Sequence, residues 1–187
     1  MPCNVAALSA IAARHGLPAS RVAIALVLLL AGALLMIAYA QGLQRIKIGL
    51  PVPAGAVALL KESGVEGNLA INFNWGGYAI WHLGPRIKVS VDGRSETIYS
   101  EKNLFQNGQF MLARGDWEAL VRENPTDMAL VSKADAIYNF LPLVSDWVLV
   151  YSDEYSALFV RRDSPAAGPL ERTAMTFTPP ASAIYFP

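Results

Sequence analysis

Charge is scarce in this chain. Only 16% of its 187 residues are Asp, Glu, Lys or Arg, and the fifteen basic residues are balanced by fifteen acidic ones. A net charge of zero leaves no electrostatic footprint for nucleic acid. There is one cysteine, Cys3, so no internal disulfide can form, and two histidines do not furnish a dedicated zinc site. No segment matches a nucleophile elbow, a phosphate-binding P-loop or a zinc motif, and no cofactor is implied. Internal repeats are absent as well.

Apolar residues, by contrast, make up 53% of the chain, and part of that excess lies in one run. From Val22 to Ala40 (VAIALVLLLAGALLMIAYA) no residue is charged. As a helix this run spans roughly 28 Å at about 1.5 Å per residue, close to the thickness of a hydrocarbon core. Arg21 bounds it on one side; Gln41, Arg45 and Lys47 bound it on the other, and Tyr39 stands where an interfacial aromatic belongs. A buried core helix would show one apolar stripe, whereas this run is apolar all round. The expectation is a single transmembrane helix. The alternative is a cleaved signal peptide, since Ala38-Tyr39-Ala40 fits the small-x-small pattern. Both readings place the C-terminal part of the chain outside the cytoplasm.

The organisation expected is a flank over 1–21, the transmembrane helix over 22–40, a connector over 41–52, an α/β domain over 53–162 and a flexible tail over 163–187. The tail is assigned by its Pro, Ala, Ser and Thr content, which shows no helical or strand period. Within the domain, Pro53 to Ser63 reads as a helix, with Ala56, Leu59 and Leu60 on one stripe and Gly64 as its C-terminal cap. Asn68–Phe73, Ile87–Val91, Met128–Ser132, Trp147–Tyr151 and Ala157–Arg161 read as strands, the last two as a hairpin. Between them lie a short helix over YAIWHL, a loop over 95–114 with a helical turn, a helix capped by Asp116, and a helix from Ala136 to Val144. Strands alternating with helices predict a three-layer, mostly parallel sheet with an antiparallel strand at one edge.

In such a sheet, ligands bind beyond the C-terminal ends of the strands. That rule selects three loops: Asn74-Trp75-Gly76-Gly77-Tyr78, Asp92-Gly93-Arg94 and Lys133-Ala134-Asp135. The paired glycines at a helix start leave backbone N–H groups open to a phosphate or a sugar hydroxyl, and Trp75, Tyr78 and Trp81 are platforms for sugar rings. Asp92 would orient a hydroxyl and Arg94 would pair with phosphate. The structural reading of the same residues is tight helix–strand packing at Gly-Gly, core aromatics, and an Arg94 bridged to Asp92 or Glu96. Lys133 and Asp135, after the third strand, read as a solvated face and a helix cap, and Asp153 and Glu154 as a hairpin turn.

The stretch NFNWGGYAIWHLGPRIKVSVDGRSETIY resembles the C-terminal extracytoplasmic domain of bacterial polytopic membrane proteins related to lipid-linked-sugar glycosyltransferases of the C-type membrane fold. The matching positions are Asn74 to Tyr78, Trp81, Pro85, Val89, Asp92 to Arg94 and Tyr99; Trp117 and the strand Trp147 to Tyr151 with Asp153 also fit. The likeness covers about residues 22–162. Those proteins carry many membrane helices before this domain, with catalytic carboxylates in an early external loop that this chain does not contain. The resemblance therefore implies the last helix and terminal domain of a larger architecture. That would be a single-pass cell-membrane protein with a periplasmic domain, non-catalytic alone. Its partners would be the lipid bilayer, a polyprenyl-phosphate sugar and other membrane helices. The alternative is a standalone, signal-anchored solute- or glycan-binding module; a complete enzyme is the third reading.

Overall fold

The computed structural model describes residues 19–45 and 52–180. The expectations for residues 1–18, for the connector over 46–51 and for the last seven residues lie outside these. The chain divides into two units, Met1–Gly49 and Leu50–Pro187.

In the first unit, α1 runs from Ala19 to Arg45. Val27, Leu28, Leu29 and Leu30 are all exposed. Four successive residues point to every side of a helix at about 100° per residue, so the apolar surface is continuous around α1. Among the described residues no helix is long and apolar enough to cross a membrane.

The second unit is an α/β domain around a five-stranded mixed sheet. Its elements are α2 (Ala54–Ser63), β1 (Gly67–Ile71), α3 (Gly76–Leu83), β2 (Ile87–Val89), α4 (Glu101–Leu112), α5 (Ala119–Glu123), β3 (Met128–Ser132), α6 (Ile137–Phe140), β4 (Trp147–Ser152), β5 (Ser156–Arg161) and α7 (Ala167–Thr176). The strand order is β2-β1-β3-β5-β4. β1 pairs in parallel with both β2 and β3, while β5 is antiparallel to β3 and to β4.

Alternation along the strands builds two cores. Leu69 and Ile71 of β1, Met128 and Leu130 of β3, and Leu158 and Val160 of β5 face one layer. That layer holds Leu59 and Leu60 of α2, Ala79 and Leu83 of α3, and Leu170 of α7. Ala70, Ala129, Val131, Ala157 and Phe159 face the other, with Phe110 and Met111 of α4, Leu120 of α5 and Ile137 of α6. Helices on both faces make three layers, and the strands of the middle read apolar on both sides.

Four expectations are corrected. The antiparallel strand is not at an edge: β5 lies inside the sheet, between β3 and β4, and β4 is the edge. Ser156 to Val160 are buried in succession, as a strand covered on both faces must be, whereas β4 is half-exposed. The stretch read as a loop over 95–114 contains α4. Ser100 caps it, its Oγ accepting from Asn103 N at 3.2 Å, but its inward face carries the polar residues Gln106 and Asn107 beside Phe110 and Met111, which hides the helical stripe. The tail read as flexible contains α7, whose Leu170 is fully buried. Pro169 is the third residue of α7, in the first turn, where its missing N–H costs no helical bond. The Asp116 cap also falls differently: α5 begins at Ala119, and Asp116 pairs with Arg122 at 2.6 Å.

Candidate functional site

Because β2 and β3 both run parallel to β1, the C-terminal ends of these three strands share one rim. The chain leaves β1 for β2 on one side and later enters β3 on the other. Such a switch point opens a crevice between β1 and β3, the usual ligand position in open α/β sheets. Here the crevice is bridged. Asn72 Nδ2 donates to Asp135 Oδ2 at 2.9 Å, and the same carboxylate oxygen accepts from Ser132 N at 3.0 Å. Asn72 Oδ1 in turn accepts from Asn74 N at 3.1 Å, closing the turn that leads into α3. Lys133 donates from Nζ to the Asp153 carbonyl at 2.6 Å and lies over the Tyr138 ring. Neither Lys133 nor Asp135 is the merely solvated group or simple helix cap that composition suggests; both tie loops together. Asn72 carried no distinguishing sequence signal, because an Asn after a strand is ordinary turn chemistry.

The residues expected to bind a ligand take up different roles. Trp75 is 4% exposed and belongs to the core. Gly76 is buried, and a Cβ there would collide with the Val91 carbonyl and lie 2.8 Å from Asp92 Cα. The start of α3 therefore packs directly on the backbone after β2, which brings the two predicted loops into contact. Gly77 is the opposite case: a Cβ there would meet nothing within 4 Å. Asn74 is exposed, and Tyr78 is half-buried, its ring 4.5 Å from that of His82. Trp81 is 65% exposed and Phe73 43%. Residues 77 and 81 are one helical turn apart, so the open glycine and the exposed indole share a face of α3.

Asp92 is 2% exposed and Arg94 folds back over it. The Asp92 carboxylate accepts from Arg94 N at 2.8 Å, from Arg94 Nε at 2.9 and 3.2 Å, from Arg94 Nη2 at 2.6 Å and from Tyr99 Oη at 2.6 Å. The Arg94 hydrogen bonds hold the Asp92 carboxyl well below the usual carboxylate range, against an opposing effect of burial. Burial, and then the bond to Asp92, push the Tyr99 hydroxyl up to about 12. A guanidinium already neutralised by a carboxylate attracts an added phosphate far less than a free one. The pair is thus a structural bridge that stiffens the loop between β2 and α4, although Arg94 keeps an exposed face.

Several concavities lie off this rim. An open trough of about 660 Å³ sits at the N-terminal ends of the strands, lined by Glu66, Asn68, Arg86, Lys88 and Asp127. A groove of about 220 Å³ runs between α2 and α3. Among the described residues, no three His, Cys, Asp or Glu side chains cluster in a way that could hold a metal ion. No family model, no curated protein and no solved structure matches the chain.

Proposed function

We propose that this chain is a membrane-anchored domain that recognises a lipid-linked sugar for a glycosyl-transfer machine and carries no catalytic step itself. The run from Val22 to Ala40 inserts in the bilayer as a single span. The α/β unit lies outside the cytoplasm, and α3 presents the recognition face.

The observation that carries this reading is the pairing of Gly77 with Trp81. The glycine leaves the backbone open to approach, and the indole one turn on is exposed. An exposed flat apolar ring beside an unobstructed backbone suits a sugar, whose ring face is apolar and whose hydroxyls seek backbone partners. The neutral Asp92–Arg94 pair nearby supports a role in shaping the rim rather than in binding the phosphate. The resemblance at NFNWGGYAIWHL, and the apolar surface all round α1, support the link to lipid-linked substrates and to the membrane.

The test has two arms. The full chain is expected to stay in the membrane fraction after carbonate washing; recovery of a soluble form beginning at Gln41 would show cleavage instead. In the second arm the full chain, held in nanodiscs, is titrated with vesicle-borne polyprenyl-phosphate sugar. Trp81→Ala should weaken binding by about 1–2 kcal/mol, roughly five- to thirty-fold, with thermal stability unchanged. Equal binding by the two proteins rejects the α3 platform.

A further inference from the structure

The groove between α2 and α3 is independent of the sugar platform and has a different chemistry. Ala54, Val57 and Ala58 of α2 form an apolar wall, and Lys61 on the same helix stands one turn beyond Val57 and Ala58. Across the groove α3 contributes Tyr78 and His82, again one turn apart, with their rings in contact. Two polar groups here have no protein hydrogen-bond partner among the described residues. His82 Nε2 is buried and has no hydrogen bond. Lys61 makes no hydrogen bond or ion pair among the described residues. A buried polar nitrogen left unpaired is destabilising, and a ligand that satisfies it removes that penalty.

The chemistry of the lining narrows the ligand. Lys61 only donates, and a neutral imidazole protonated at Nε2 donates as well. With His82 in that tautomer, an acceptor head group, above all an anion, satisfies both donors at once. The wall of alanine and valine asks for hydrocarbon beside that head. At about 220 Å³ the groove is smaller than the roughly 300–1,000 Å³ that enclose a drug-sized ligand. It holds a head group and a few carbons, and a longer chain would continue outside.

We propose that the α2/α3 groove binds an anionic amphiphile, a phosphate-type head between Lys61 and His82 with the first carbons of its chain along Ala54, Val57 and Ala58. Burial first, and the Lys61 charge second, hold the His82 imidazole below its ordinary value, so it is neutral at pH 7 and ready to donate without a counter-charge. A bound anion reverses this, offsetting the Lys61 charge and favouring the imidazolium. The charged or titratable groups near His82 in this groove are Lys61, facing it from α2, and Tyr78, one turn before it on α3.

Imidazole NMR of the full chain in zwitterionic nanodiscs tests the proposal, with the His82 signals assigned by their loss in His82→Gln. The probes are hexyl phosphate, inorganic phosphate and hexanol. Hexyl phosphate should shift the His82 signals saturably and raise the His82 titration midpoint by about one unit. Lys61→Gln, a change at an exposed position, should weaken that binding about ten-fold with an unchanged melting temperature. Inorganic phosphate and hexanol, each lacking half of the ligand, should shift His82 little. The proposal is overturned if hexyl phosphate gives no saturable shift, if Lys61→Gln binds as well as the parent, or if inorganic phosphate binds equally, which would make the site a plain anion site. Since Trp81 is not read out, failure here leaves the sugar platform standing, and failure of the platform leaves this groove standing.

Discussion

Asn72 and Asp135 are joined side chain to side chain at 2.9 Å, across the point where the strand order reverses. The contact links the end of β1 to the start of the segment after β3, and it stands where an open α/β sheet would otherwise admit a ligand. Asp135 also holds Ser132 N, so one carboxylate serves two backbone segments. Asp135→Ala should lower stability by about 1–3 kcal/mol, because it leaves the Asn72 amide and the Ser132 N–H without their partner. A double-mutant cycle with Asn72→Ala, read by chemical denaturation, should give a coupling of about 0.5–1.5 kcal/mol. Simple additivity would mean that water serves Asn72 equally well and that the crevice opens in solution.

The adjacent glycines of α3 separate packing from access. Gly76→Ala puts a Cβ against the Val91 carbonyl and Asp92 Cα, both backbone, so neither can swing aside. It should destabilise by about 1–3 kcal/mol. Gly77→Ala meets open space in a helix and should stabilise by about 0.4–1 kcal/mol. If both substitutions shift the thermal midpoint in the same direction, α3 does not sit on the β2 loop as described.

Acid sensitivity should follow Asp92. Its folded pKa is depressed, chiefly by the Arg94 hydrogen bonds, from an ordinary value of 3.8. A carboxylate of this kind contributes stability that is fully present above the unfolded value and is lost as pH falls from there through the folded value. Urea denaturation at pH 7 and at pH 2–4 should show a loss in the parent that is smaller in Asp92→Asn. An identical pH slope in the two proteins would place the acid-sensitive group elsewhere.

His82 has a dependence of the same sign, nearer neutrality. Its folded pKa lies below the ordinary 6.5, because burial and Lys61 disfavour the charged form. The unfolded chain therefore binds the proton first, and stability falls as pH drops below about 6.5 toward the folded value. His82→Phe should remove this slope between pH 5 and 7 in ligand-free protein. Lys61→Gln should leave a shallower slope, since burial remains and one positive charge is gone. Thermal melts across that range decide both.

Local pattern was enough for much of this protein. Gly64 takes φ +66° at the end of α2, as a left-handed C-terminal cap requires, and the spacing of Ala56, Leu59 and Leu60 already points to its buried stripe. The directions of β1, β2 and β3 follow from the helix or loop long enough to bring the chain back between them. The uncharged run at Val22–Ala40 is equally plain without any coordinates. These features depend on residues within a few turns of each other, and so they are written in period, cap and length.

What only the tertiary structure decided depends on neighbours far away in sequence. α4 escaped detection because Asn107 is buried not by apolar contact but by bonds to Ser90 Oγ at 2.7 Å and to the Ile71 carbonyl at 3.4 Å. α7 looked like a tail because its Leu170 gains a period only against a core supplied by α2 and the sheet. Placing β5 inside the sheet needed knowledge that both of its faces are covered. The two readings of Gly76 and of Arg94 were separated by the same means. Whether a glycine admits a ligand or a neighbouring backbone, and whether a guanidinium is free or folded onto a buried carboxylate, is set by what stands within a few ångströms of it. Sequence spacing names the residues of that loop, but only packing determines which of them remain open.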